Sequence, residues 1–139
     1  MTFAGINYLA VLLAAAAAWV LGAGWYMALA TPWMAAAGIS QEKIAASKTQ
    51  RRAALRFVFA FAACVIMAWV LAGIVGHLGQ VTLRSGVISG LFCWLGFVIT
   101  TMLVNNSFAM RSRKLLLIDG GYWLVALALM GAIIGTIGV

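Results

Sequence analysis

Residues 57–83 read FVFAFAACVIMAWVLAGIVGHLGQVTL, a run without a single charged side chain. As a helix, residues 55–76 extend about 30 Å, which is the thickness of a bilayer's hydrocarbon core. Charged side chains are equally absent from residues 1–41, 85–110 and 120–139, so four such crossings fit. Of the 139 residues, 66% are hydrophobic and only 8% charged, with a mean hydropathy of +1.13. A soluble domain carries about 45–50% apolar and about 25% charged residues, so this chain cannot cover its own surface in water. That excludes a soluble enzyme, a nucleic-acid-binding domain and a disordered tail.

The reading is an all-α polytopic membrane protein, one four-helix transmembrane domain over residues 1–139. Its spans are expected at about 6–27, 55–76, 86–105 and 116–137. Continuous apolar runs without alternation exclude a transmembrane barrel. The connections after spans two and three are short, which predicts antiparallel neighbours in a bundle. The first span lacks a basic leader and exceeds the apolar length of a cleavable signal peptide, so it is expected to stay in the mature protein.

The net charge of +7 is distributed unevenly. Lys43, Lys48, Arg51, Arg52 and Arg56 lie between spans one and two, and Arg111, Arg113 and Lys114 between spans three and four. Only Arg84 lies between spans two and three. The positive-inside rule makes the side with eight of the nine basic residues cytoplasmic, with both termini periplasmic and the chain in a bacterial inner membrane. In the first loop, Thr31 and Pro32 are expected to interrupt a helix, and Gly38 to end the turn Trp33–Ala37. Ser40 is a candidate N-cap with Glu42 in the first turn. From Gln41 no glycine or proline intervenes until Gly73, so span two is expected to continue outward as one long helix.

Membrane helices associate by close packing, favoured where small residues recur every fourth position. Ala60, Cys64, Ala68, Ala72 and Gly76 form such a row in span two, and Ala10, Ala14, Ala18 and Gly22 another in span one. Gly86 with Gly90, and Gly131 with Gly135, repeat the GxxxG form in spans three and four. Whether these faces join helices of one chain or of two is left open by the spacing.

Among polar residues, Asp119 is the one acid near any span, and an unpaired carboxylate at that depth is costly. It is expected to pair with Arg56 at the same level of span two, with Tyr122 or Asn105 adding a hydrogen bond and Tyr26 nearby. The aromatics Trp25, Tyr26, Tyr122 and Trp123 otherwise fit an interfacial belt. His77 is the lone histidine and belongs at the outer interface. Cys64 and Cys93 have no metal or redox spacing. No nucleophile–base pair, paired carboxylates, phosphate loop or metal cluster can be assembled, so neither catalysis nor a cofactor is expected.

Two stretches resemble a known family. INYLAVLLAAAAAWVLGAGW at Ile6–Trp25 with Tyr26, and SRKLLLIDGGYWLVALALMGAIIG at Ser112–Gly135 preceded by WLGF at Trp94–Phe97, resemble the bacterial membrane proteins catalogued as domain of unknown function 1761. The resemblance implies a four-helix inner-membrane protein and brings no activity or substrate with it. Where that family often has Ser-Pro and then Gly-Lys before a tryptophan, Met27–Trp33 reads MALATPW.

The functional expectation is a non-catalytic membrane protein in contact with lipids. It is expected to pack through its small-residue faces, as a homo-oligomer or as an accessory subunit of a larger complex. The alternative is an oligomeric channel or transporter for a small solute or ion. Small multidrug exporters need an acid in their first span, and residues 1–41 contain none. Cysteines at positions 48 and 80 (Lys48→Cys and Gln80→Cys), in a background lacking Cys64 and Cys93, should label from opposite sides of the membrane. An impermeant reagent should reach position 80 and not position 48 in intact cells.

Overall fold

In the computed structural model, which describes residues 5–47 and 50–139, the chain is all-helical, with no strand among the described residues. Helix α1 spans Tyr8–Ala28, α2 Ala30–Ala37, α3 Gln41–Ser47 and α4 Gln50–His77. Then follow α5 (Leu83–Cys93), a π-helical stretch (Trp94–Ile99), α6 (Thr100–Phe108) and α7 (Arg113–Ile137). Among the described residues, four helical stretches are long and apolar enough to cross a membrane: Tyr8–Ala28, Arg52–His77, Leu83–Phe108 and Arg113–Ile137.

Local chemistry sets the boundaries. Asn7 caps α1 by accepting from the Ala10 N–H at 3.2 Å. The break after α1 falls at Leu29, slightly before the Thr31-Pro32 pair, and Pro32 lies inside the first turn of α2. A proline is tolerated in that turn because the amide it lacks has no intrahelical partner there. Gly38 closes α2 with φ +67°, donating to the Ala35 carbonyl while the Ile39 N–H reaches Met34. That is the left-handed helix stop that glycine makes without steric cost. Ser40 accepts from the Lys43 N–H at 3.3 Å and so opens α3. Continuity of the helix from Gln41 into span two depends on residues 48–49, which lie outside the described ones. At the other end, Thr82 and Ser85 form a reciprocal capping box at the start of α5.

The fourth span is the hub of the bundle. It packs against α1, α4 and, most extensively, α5, while α1 also packs on α4. The α5–α7 crossing is a meeting of glycines. A Cβ built on Gly86 would overlap the Gly131 carbonyl, and one on Gly131 would overlap the Gly86 carbonyl. Likewise Gly90 abuts the Leu127 carbonyl, and Gly135 the Thr82 carbonyl. Both GxxxG pairs are therefore engaged with each other inside one chain, bringing backbone against backbone. In span two Cys64, Ala68 and Ala72 are buried in the core, together with Leu71 and Val75. The ends of that row differ: Ala60 is exposed, and Gly76 lies outward beside the Val139 side chain. Ala10, Ala14 and Ala18 of span one are also buried.

The third span changes face along its length. Gly86, Ser89 and Gly90 are buried, whereas α6 has no buried residue. Between them the π-helical turn adds a residue to the repeat, so the partly buried positions go from Cys93 and Trp94 to Val98 and Ile99, then to Met102 and Asn106. A π-bulge of this kind re-aims the side chains beyond it.

Steric consequences follow directly. Ala68→Leu should overpack the core and lower stability by about 1–3 kcal/mol. Gly131→Leu should be worse, because backbone rather than a flexible side chain opposes it. Val70→Leu, on an exposed flank, should change stability by less than about 0.5 kcal/mol. Thermal unfolding of the three variants in one detergent measures the order.

Candidate functional site

Hydrocarbon supplies no hydrogen bonds, so each polar side chain carried into a span must find its partner in the protein. Four such donors converge on three consecutive residues of α7. Trp25 Nε1 donates to the Ile118 carbonyl at 3.1 Å. The Tyr26 hydroxyl and Trp33 Nε1 both donate to Asp119 Oδ1, at 2.8 and 3.0 Å. Trp94 Nε1 donates to the Gly120 carbonyl at 2.8 Å.

The glycines make room for those rings. A Cβ on Gly121 would stand 3.2 Å from Trp25 Cζ2, and one on Gly120 would stand 2.6 Å from Ile99 Cδ1. Tyr122 then crosses to span one, donating to the Ala18 carbonyl at 3.1 Å. Gly22 passes beneath it, where a Cβ would come within 2.9 Å of the Tyr122 hydroxyl. Every residue of Ile118–Tyr122 is therefore occupied with an aromatic side chain or with the third span. Tyr26 also stacks edge-on against Trp33 (centroids 6.0 Å) and Tyr122 (5.4 Å).

Of the expected polar cluster, Tyr26, Asp119 and Tyr122 come together here. Arg56 and Asn105 do not. Both are exposed, on α4 and α6, and the partners of Asp119 come from α1 and α2. Beyond the break at Leu29, α2 places Trp33 on the carboxylate that Arg56 was expected to meet. Two neutral donors thus take the place of a cation, and Tyr122 serves span one instead of Asp119. The first loop is also tied to α7 through Ser112, which donates to the Ala36 carbonyl at 2.9 Å and accepts from Leu115 N–H.

Trp33 is the partner that charge and depth do not point to. Its signal in the sequence is its place seven positions beyond Tyr26, directly after Pro32. Trp19 was missed. Its indole donates to the Phe57 carbonyl at 3.2 Å, and its ring meets Phe57 and Phe61 edge-on.

Beside the aromatic cluster runs a groove of about 730 Å³ between α1 and α4, backed by α7. Trp19, Tyr26, Phe57, Tyr122 and Trp123 form its aromatic walls, and Gly22, Ala23, Ala60 and Ala63 keep it open. Cys64 lies at its base, next to the buried part of the span-two row.

The two stretches that make this contact, Trp25-Tyr26 and Ile118–Trp123, fall within residues 9–135, over which the chain matches the family model described as "Protein of unknown function (DUF1761)". The chain belongs to this family. No curated protein and no solved structure matches it. Membership therefore fixes kinship and leaves the activity to be argued from the chain itself.

Asp119→Ala would strand both the Tyr26 hydroxyl and the Trp33 indole, and should lower stability by about 2–4 kcal/mol, since hydrogen bonds to a charged group contribute about 1.5–3 kcal/mol each. Asp119→Asn keeps an acceptor for neutral donors and should cost clearly less. Glu42→Gln, on the exposed face of α3, should be silent. Thermal unfolding followed by tryptophan emission measures all three. An Asn variant as damaged as the Ala variant would show that the negative charge itself is required.

Proposed function

We propose that this protein is a non-catalytic integral membrane protein that associates laterally in a bacterial inner membrane, as a homo-oligomer or as an accessory subunit of a larger membrane complex. The observation that carries the reading is the third span. Only 11% of its most apolar stretch is buried, against 33% or more in each of the other three. Its exposed flank presents Phe92, Leu95, Phe97, Leu103 and Val104. Gly96 lies among them with open space where a Cβ would be, the kind of gap into which a neighbouring helix packs. Thr100 and Thr101 donate to the Gly96 and Phe97 carbonyls of their own helix, which leaves that flank apolar.

The small-residue faces of spans three and four are engaged within the chain, so association falls to this uncovered flank. A non-catalytic role is supported by the polar groups of the aromatic cluster, which are taken up in holding helices together. A channel or transporter would need its path between chains, because Leu71, Met130, Ile134, Val11 and Val75 fill the interior of a single bundle. The orientation with both termini periplasmic rests on the basic loops, which the Ser112–Ala36 bond draws to one end of the bundle.

Gly96→Cys, in a background lacking Cys64 and Cys93, should cross-link to protein in native membranes. Ile66→Cys, on the exposed face of span two, should not. The adduct mass separates a second copy from a larger partner. No adduct at either position, with a monomer in mild detergent, would overturn the proposal.

A further inference from the structure

The groove between α1 and α4 faces outward into the space a bilayer fills. Met27 and Phe57 on its rim are 75% and 56% exposed, and Ala23, Ala60 and Ala63 are exposed as well. Its walls contain polar atoms, yet the Tyr26 hydroxyl, the Tyr122 hydroxyl and the Trp19 indole N–H each donate to an acceptor within the chain. What these three turn to the groove is ring surface, and with its alanines and glycine the lining is mainly apolar apart from the Trp123 indole, so the part of an occupant that lies in it is apolar.

Size narrows the choice. A partner helix needs several turns of continuous contact, whereas the α4 wall of this 730 Å³ groove runs only from Phe57 to Cys64, about two turns. A flexible acyl chain has no such minimum length of contact. The volume is also within the range of about 300–1,000 Å³ usual for small-ligand sites.

Charge selects the headgroup. Arg52 and Arg56 stand two turns and one turn beyond Ala60 on the same i, i+4 row of α4, and both are exposed. They therefore continue the α4 wall beyond the last groove-lining residue, Phe57, where a chain lying in the groove would carry its phosphate. Neither arginine is engaged by Asp119, whose Oδ1 accepts from Tyr26 and Trp33. We infer that this groove is a binding site for an anionic phospholipid, with one acyl chain between α1 and α4 and the phosphate held by Arg52 and Arg56. The inference does not depend on lateral association, since the groove and the third span's flank are formed by different helices.

The test uses the full chain reconstituted in phosphatidylcholine vesicles containing a small fraction of phosphatidylglycerol with brominated acyl chains, or the same fraction of brominated phosphatidylcholine. Tryptophan quenching should be stronger with brominated phosphatidylglycerol. Each arginine near a membrane surface contributes a factor of about five in affinity for anionic lipid. Arg52→Gln with Arg56→Gln should therefore abolish most of the preference, while quenching by phosphatidylcholine stays unchanged. Removing two other positive charges, by Lys43→Gln with Arg111→Gln, should leave the preference largely in place. Ala63→Leu should fill the groove and reduce quenching by the anionic lipid in a protein whose thermal unfolding is near wild type. Equal quenching by the two lipids would overturn the inference. So would an equal loss in both double variants, or a groove cross-linked to a second copy of the chain.

Discussion

Trp25, Tyr26, Trp33 and Trp94 each carry a proton donor to the edge of a medium that cannot accept it, and all four are answered by Ile118, Asp119 and Gly120. Much of the arrangement depends on that convergence. It ties span one, α2 and the third span to the same turn of span four. It also accounts for the two glycines that follow Asp119, since one admits Ile99 and the other the Trp25 ring. Tyr122 continues the pattern one turn deeper with its bond to Ala18.

The four spans were legible in the sequence because burial in lipid leaves a one-dimensional record. Runs without charge are long, and their lengths match a membrane. Ser40 and Gly38 were legible for a similar reason, since caps and stops depend on the local backbone alone. The partners of Asp119 were not. Arg56 was the natural expectation on grounds of charge and depth, yet depth says nothing of which face of a helix a residue occupies. Tyr26 and, seven positions on, Trp33 of α2 fill the place instead. The π-helical turn at Trp94–Ile99 has no compositional mark either. It adds one residue to the repeat within an otherwise continuous helical stretch. The glycine pairs were visible as motifs, but their mutual contact is a tertiary fact.

The bundle is asymmetric as a result. On one side the third and fourth spans approach until their backbones touch, and on the other α1 and α4 part around a groove lined by rings. The close side is fixed by the absence of side chains. The open side combines small residues, which leave the space, with large rings that wall it, Trp19 bridging α1 to α4 through the Phe57 carbonyl. Small residues thus bring two backbones together at one interface and leave a gap at the other.

The bonds from Trp25, Tyr26 and Trp33 to span four join residues 86 to 93 positions apart. A chain made from its N-terminus presents Trp25, Tyr26 and Trp33 long before any residue exists that can receive their protons. Until span four arrives, those donors are satisfied only by water and headgroups at the membrane surface. The side-chain bonds that fix the end of span one are thus completed only once the last helix has been made, and a chain halted before Ile118 lacks every acceptor that Trp25, Tyr26 and Trp33 use in the finished bundle.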